Sequence, residues 1–361
     1  MIARSRRIRL SNDIELNTPL LVPALSSRAL GPLETEDKSG RKTVLEPCSI
    51  VHSRFLLDGI EESLLVSAYD ISRGLLEESK RFRIGFSRSR YARVRLLMID
   101  SGGYEQIGGP PGGVFAEGLE EPLPWTMDDY EAIVDKLDMA MDAVLVSWDY
   151  YGTYAEQIAL AKDFFGLRTR FASTILLRPP GKAKPLRRSR FHQLNKLSDY
   201  DVANLRAFDI VGVTEKDLGE TVLDRMVRLA DLRARLDAAD VSSPIHIFGA
   251  LDPLYTSLYF AVGGEIFDGL GWLRFAFRDG IAINRETIAI LDEQVTKRRM
   301  SALLTVSIQN LDAMRNLSND LRVFAQRGDW SRLGPRGEVM ERVYESFEAR
   351  FRNGTGGQNG R

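Results

Sequence analysis

The chain alternates between short apolar runs and longer amphipathic stretches from residue 19 to residue 267. The runs have the length and composition of buried strands, and the stretches between them repeat apolar residues at helical spacing. This alternation predicts a parallel sheet, and eight strands are enough to close a (β/α)8 TIM barrel. The predicted strands are Pro19–Ala24, Ser63–Ala68, Leu96–Asp100, Ala143–Trp148, Ala172–Leu177, Asp209–Val213, Ile245–Phe248 and Glu265–Phe267. The clearest predicted helices are Met127–Met141, Tyr154–Phe165, Leu218–Ala238 and Pro253–Val262.

The pattern changes to helix alone after residue 280. Leu304, Ile308, Leu311 and Met314 recur at the three- and four-residue spacing of one helical face. We therefore predict a barrel domain of residues 1–283 and an appended C-terminal helical region of residues 284–352. The Gly-rich polar residues 353–361 predict a disordered tail.

Composition narrows the classes of function. The formal net charge is −1 over 361 residues, so no global field attracts nucleic acid, and any such binding needs local basic patches. A single cysteine, Cys48, excludes a disulfide framework and a Cys-rich zinc site. The three histidines, His52, His192 and His246, lack ligand-like spacing and are predicted to be structural or surface groups. No membrane span, signal peptide, metal or other cofactor is indicated, and the expected compartment is the cytoplasm.

Carboxylates at strand ends are the candidate chemistry. Asp100 ends an apolar run and precedes Ser101, Gly102, Gly103 and Tyr104. Asp268 follows a second run in the same way, and TIM barrels build their active sites at the carboxyl ends of strands. Two such acids suggest chemistry on a glycosidic bond. Taken singly, each acid could equally be a helix cap or a turn residue.

A basic loop follows the strand that ends at Leu177. A phosphate backbone could be bound there, whereas the alternative is a solvated loop. A second basic run, residues 80–95, is predicted to flank the same end of the barrel. The two runs together favour the interpretation that this end binds nucleic acid. The candidate nucleic-acid-binding residues of the loop are Arg178, Lys182, Lys184, Arg187, Arg188 and Arg190.

An ordered set of motifs resembles the tRNA-guanine transglycosylase superfamily. Residues Asp100–Glu105 resemble its Asp-Ser-Gly-Gly-(Phe/Tyr)-Gln motif, and Val146–Asp149 resembles the strand that ends in the base-recognising aspartate. The block Phe248–Pro253 followed by Ile266–Asp268 resembles the segment that ends in the nucleophile. The similarity covers residues 15–330 and includes Asn17–Pro23, Arg278–Gly280 and Leu303–Trp330.

The resemblance implies a double displacement that exchanges guanine for another base. Asp268 would be the nucleophile, and Asp100 the general acid and base. Asp149 would accept hydrogen bonds from the purine N1–H and 2-amino groups. Tyr104 and Phe248 would stack on the base. The other members of the implied substrate-binding pocket are Ser101, Gly102, Gly103, Gly212 and Gly249.

Departures from the family pattern favour its DNA branch. Residues 279–328 contain neither Cys nor His, so the usual zinc site is missing. Arg178, Pro179 and Pro180 stand where the family has a Gln-Gly pair, Glu105 replaces a Gln, and no appended RNA-binding domain is recognised. The leading expectation is a pentosyltransferase that inserts a 7-deazaguanine, such as 7-cyano-7-deazaguanine, into DNA, with an ATP-driven partner to open the duplex. The alternatives are a zinc-less tRNA-guanine transglycosylase and a non-catalytic nucleic-acid-binding subunit.

Overall fold

A computed structural model of the chain describes residues 2–31, 33–36, 42–45, 48, 50–52, 60, 62–74, 94–103, 123–137, 142–181, 191–291 and 299–355. Four predicted features lie outside these residues in whole or in large part. They are the aromatic residue Tyr104, residues 182–190 of the basic loop, residues 80–93 of the second basic run and residues 356–361 of the tail.

Eight parallel strands form a closed barrel, which confirms the predicted (β/α)8 architecture. They follow chain order around the barrel, and the last strand pairs with the first. Short antiparallel hairpins accompany the barrel before its first strand, after that strand and after its last. The strands are β1 (Arg7–Arg9), β2 (Glu15–Asn17), β3 (Leu20–Leu25), β4 (Leu33–Glu36), β5 (Lys42–Leu45), β6 (Ser63–Ser67), β7 (Leu96–Asp100), β8 (Ala143–Val146), β9 (Ala172–Leu177), β10 (Ile210–Thr214), β11 (Ile245–Phe248), β12 (Ile266–Gly269), β13 (Phe275–Arg278) and β14 (Ile281–Asn284).

Helices cover the outside of the barrel and continue past its last strand, as predicted. The α-helices are α1 (Ala68–Arg73), α2 (Met127–Val134), α3 (Tyr154–Gly166), α4 (Asp199–Asn204), α5 (Val222–Ala238), α6 (Pro253–Ala261), α7 (Gly271–Arg274), α8 (Arg285–Leu291), α9 (Arg299–Arg327) and α10 (Gly337–Thr355). Short 3-10 helices are Leu194–Lys196, Leu205–Ala207, Glu215–Leu218 and Trp330–Arg336.

Three helices differ from the prediction in where they begin or end. Thr221 and Asp224 form a capping box, so α5 starts at Val222 and not at the predicted Leu218, which closes a 3-10 turn instead. Helix α2 ends at Val134 and is shorter than predicted, because the next residue, Asp135, already caps it. Helix α10 continues to Thr355 and so includes residues 353–355, which were predicted to begin the disordered tail.

The barrel interior is packed with apolar side chains. Alternate residues of each strand point inward, as the two-residue period of a strand requires. Leu65, Met98, Val144 and Leu176 belong to this interior cluster. The hairpin of β1 and β2 contributes Leu10, which packs against the same cluster and covers the amino ends of the strands. The packed interior leaves the carboxyl ends for a site.

The C-terminal helices are fixed to the barrel by buried polar contacts and by aromatic packing. The Asn310 side chain accepts a hydrogen bond from the Phe277 amide at 2.7 Å and donates to the Trp272 carbonyl at 2.7 Å. Ser318 donates to the carbonyl of Pro19 at 3.0 Å, which joins α9 to the start of β3. Aromatic rings then pack in series through Phe324, Trp330, Tyr344 and Phe347.

Among the residues that the structure describes, no helix combines the length and the apolar composition needed to cross a bilayer.

Candidate active site

Strand alternation brings the predicted acids to one end of the barrel. Leu96 and Met98 of β7 belong to the interior cluster, so Asp100, two residues on, lies on the same inward face. Ile266 of β12 likewise places Asp268 inward. Both acids lie at the carboxyl ends of their strands, and β3 and β6 separate those strands along one side of the barrel. Asp100 and Asp268 therefore occupy different sides of one mouth.

The carboxylate of Asp268 is buried and bonded through one oxygen. Its Oδ1 accepts the Gly249 amide at 3.2 Å and lies 3.0 Å from Nε2 of His246. Among the described residues, no other hydrogen bond reaches this carboxylate. Its second oxygen, Oδ2, therefore remains available to a ligand, although the side chain is only 8% exposed.

His246 is a functional candidate that sequence reasoning missed. It is fully buried on β11, and its ring stacks on Phe248 with centroids 3.8 Å apart. Register explains its contact with the nucleophile candidate, because His246 is paired with Ile266, and Asp268 is the next inward residue of β12. The available signal was a polar residue at an inward position of an apolar strand.

Asp149, which follows β8, is bonded through both oxygens. Ser101 Oγ donates to Oδ2 at 3.2 Å, and Arg178 Nε donates to Oδ1 at 2.5 Å. The predicted residues Ser101, Gly103 and Asp149 are thus brought together by the tertiary structure. A Cβ added at Gly103 would lie 1.7 Å from Oδ2, so only glycine fits beside this carboxylate.

Arg178 lies inside the site, and its guanidinium is bonded to two acids. Besides Asp149, it donates to Asp217 Oδ2 at 2.9 Å and to Thr214 Oγ1 at 3.1 Å. Burial opposes its charge, but the neighbouring carboxylates outweigh burial and raise the pKa of the guanidinium. A phosphate contact by Arg178 would have to compete with Asp149 and Asp217. The other basic residues of its loop, 182–190, lie outside the described residues.

The glycines of the predicted pocket differ in what surrounds them. A Cβ at Gly212 would meet Phe248 at 2.6 Å, and one at Gly102 would meet Trp125 at 2.7 Å. Gly249 has a φ of +81°, but a Cβ there would meet nothing within 4 Å. Gly249 therefore lies beside open space next to Asp268, whereas Gly102 and Gly212 make room for protein side chains.

Asp100 is half-buried and lies near Asp149, the acid that the family resemblance implies for base recognition. Its Oδ2 accepts the Gly102 amide at 3.4 Å. The buried phenol of Tyr130 has a pKa raised well above its usual value by burial first and then by the charges of Asp100 and Asp149. Asp149 follows β8, the strand next to β7 in the barrel, so both carboxylates lie on the same side of the mouth.

His192 lies behind Asp217 and gives the fold a pH dependence. Burial lowers the pKa of this imidazole from 6.5 to about 4. Below pH 6.5 the imidazole therefore binds a proton in the unfolded chain, whereas in the folded chain it stays neutral until the pH approaches 4. The stability that neutral His192 contributes is lost as the pH falls from 6.5 to about 4, by about 3 kcal/mol in full. The His192→Asn variant should lose less stability between pH 7 and pH 4 in urea unfolding.

Asp70 provides a control of opposite sign for that measurement. Burial raises the pKa of this carboxyl from 3.8 to about 6, so its contribution to stability decreases as the pH rises through that range. Asp70→Asn should therefore steepen the loss of stability in acid, whereas His192→Asn should flatten it. Equal acid dependence in wild type and His192→Asn would contradict the assignment to His192.

Within the described ranges, no three His, Cys, Asp or Glu side chains are grouped as a metal site. No model of a known protein family matches the chain, and no curated protein matches it either. The barrel architecture therefore rests on the strand pairing observed in this chain.

Proposed function

We propose that the protein is a base transglycosylase that exchanges guanine in DNA for a 7-deazaguanine such as 7-cyano-7-deazaguanine. The observation that carries the proposal is the environment of Asp268. Its carboxylate is bonded through Oδ1 alone by the described residues and has Oδ2 left for attack. A second acid, Asp100, lies at the same mouth, as a displacement with acid–base assistance requires.

The proposed chemistry is a double displacement with retention at C1′. Asp268 attacks C1′ and forms a glycosyl ester, while Asp100 protonates the departing guanine. The incoming 7-deazaguanine then gives a proton to Asp100 and attacks C1′, which releases the carboxylate of Asp268. Each proton and electron pair is returned, so the exchange needs no oxidant or reductant.

Base recognition is proposed at Asp149, which is already bonded to Arg178 and Ser101. Each carboxylate oxygen has two acceptor positions, so the N1–H and 2-amino groups of guanine can still bind. Arg178 supports this role because its guanidinium donates to Oδ1 and fixes the orientation of the carboxylate. Phe248 would stack on the base from β11, and Tyr104 would stack on its other face.

DNA is proposed as the polymer, with tRNA as the competing substrate. The stacking aromatics and the three acids remain, whereas the zinc site and the Gln-Gly pair of the resembled family are missing. A duplex substrate must expose its base at a cost of a few kcal/mol, which suggests an ATP-driven partner. The cytoplasm is the proposed compartment.

The decisive experiment compares the two polymers directly. The protein is incubated with 7-cyano-7-deazaguanine and either single-stranded DNA, plasmid or tRNA, and nucleosides are measured by mass spectrometry. Modified deoxynucleoside in DNA supports the proposal. Modified ribonucleoside in tRNA alone would favour the tRNA enzyme, and binding without modification of any polymer would favour a non-catalytic subunit.

The Gly103→Ala variant should lose exchange because its Cβ would overlap Asp149. The added Cβ would lie 1.7 Å from Oδ2 of Asp149, which is a steric clash, so Asp149 must move away from Arg178. A displacement of this size is expected to lower the exchange rate about a hundredfold. Gly166→Ala is the matched control, since a Cβ there meets nothing within 4 Å. An unchanged exchange rate in Gly103→Ala would remove Asp149 from the site.

Nucleic-acid affinity should depend on the basic loop and weaken with salt. Replacing Arg187, Arg188 and Arg190 with alanine should lower affinity for DNA and flatten its salt dependence together, because each lost phosphate contact removes about one unit of slope. Fluorescence anisotropy over a salt series measures both quantities. A slope equal to that of the wild type would indicate a solvated loop without phosphate contacts.

A further inference from the structure

The interior of the barrel holds an Asp–His pair directly below the mouth. His246 is fully buried, and its Nε2 lies 3.0 Å from Oδ1 of Asp268. The other ring nitrogen, Nδ1, is buried without a hydrogen-bond partner among the described residues. One ring nitrogen thus contacts the proposed nucleophile, and the other contacts no described polar group.

This asymmetry fixes the tautomer. A proton on Nδ1 would be a buried donor without an acceptor, which costs more than leaving a weak acceptor unpaired. A neutral ring with its proton on Nε2 satisfies the only available contact, because that N–H can donate to Asp268. Gly249 donates to the same oxygen, so Oδ1 acts as the shared acceptor of both donors.

We infer that His246 is a positioning residue for Asp268, an inference that rests on the proposed transglycosylase function. Its Nε2–H holds Oδ1 in place, so that Oδ2 presents a fixed lone pair toward C1′. The same ring supports Phe248 at a centroid distance of 3.8 Å. One buried imidazole therefore links the orientation of the nucleophile to the surface on which the base stacks.

The hydrogen bond also acts on the second displacement. In the first step Oδ2 bonds to C1′, the bond from C1′ to the purine nitrogen breaks, and the electron pair leaves with guanine. In the second step a nitrogen of the incoming base bonds to C1′ and gives its proton to Asp100, the bond between C1′ and Oδ2 breaks, and the electron pair of that bond returns to Asp268. A donor at Oδ1 stabilises the carboxylate more than the ester, so His246 favours release. The proton on Nε2 stays in place throughout.

Two variants distinguish the hydrogen-bond donor of His246 from the space that its ring fills. His246→Gln can present an N–H near the position of Nε2, whereas His246→Leu fills similar space without a donor. We expect His246→Leu to exchange guanine at least about tenfold more slowly and to accumulate the covalent protein–polymer adduct on denaturing gels. We expect His246→Gln to recover most of the rate. Equal rates in wild type and His246→Leu, or equal impairment in both variants, would overturn the inference.

A spectroscopic measurement tests the contact without activity. The chain has three histidines, so nitrogen-15 spectra of the imidazoles can be assigned from His246→Gln. We expect a neutral ring with its proton on Nε2, and a change in that signal alone in Asp268→Asn. A charged ring or a proton on Nδ1 would overturn the inference even if exchange occurs. If wild-type protein exchanges no base in any polymer, the proposed function fails, and the spectrum still decides the contact.

Discussion

Replacing Asp268 with alanine should abolish base exchange while leaving the barrel folded. The variant lacks the oxygen that would bond to C1′, so the covalent route is removed and exchange should fall roughly 10⁴-fold or more. The neighbouring donors on His246 and Gly249 lose their acceptor, which lowers stability by about 1–3 kcal/mol and is compatible with a folded protein. Incorporation of labelled guanine measures the rate, and circular dichroism measures the fold.

Two further variants make the Asp268 result specific. Asp268→Asn keeps an acceptor for both donors but is a poor nucleophile, so it should be as inactive as Asp268→Ala and more stable. Asp163→Ala removes an exposed acid from α3 and should exchange guanine at the wild-type rate. Exchange near the wild-type rate in Asp268→Ala would end the assignment of this residue as the nucleophile.

Replacing Glu265 with glutamine should lower the free energy of unfolding more than the other substitutions proposed for this protein. Its carboxylate is buried below the site and accepts two hydrogen bonds from Arg6, at 2.6 and 2.7 Å. Arg233, which is fully buried, lies 3.7 Å from the same carboxylate. Removing the charge leaves Arg6 without its carboxylate partner, whereas Arg233 keeps its ion pair with Asp237 at 2.8 Å. We expect the free energy of unfolding to fall by about 3 kcal/mol, the lower end for a broken buried pair, because Arg6 can rehydrate.

A surface ion pair supplies the control for Glu265. Arg342 and Glu338 lie four residues apart on α10, with side chains 59% and 84% exposed. Glu338→Gln should change the free energy of unfolding by at most about 0.5 kcal/mol. Urea unfolding at neutral pH measures both variants. Equal effects would mean that the buried carboxylate of Glu265 carries no special weight in this fold.

The barrel could be predicted because its signals are local. A run such as Leu96–Asp100 is apolar and bounded by turn residues, and the helices between runs carry their own caps. The ends of α2 and α5 were less predictable. The start of α5 depends on the side chain of Thr221 reaching the Asp224 amide, which competes with an apolar pattern that begins at Leu218.

The site could be predicted in part. Asp100 and Asp268 are recognisable because each follows an apolar run and so marks the end of a strand. The contact between Arg178 and Asp149 joins side chains 29 positions apart, and the basic stretch around Arg178 gave no sign of it. His246 was similarly hidden, because its role depends on the register of β11 against β12.

The sequence by itself determined the positions of the barrel strands and the placement of Asp100 and Asp268 at strand ends. These properties follow from periodicity and from neighbours within a few residues. Only the tertiary structure decided which groups meet: His246 with Asp268, and Gly103 and Arg178 with Asp149. The reason is physical. Barrel closure and strand register set distances between residues far apart in the chain, and hydrogen bonds and steric exclusion depend on those distances.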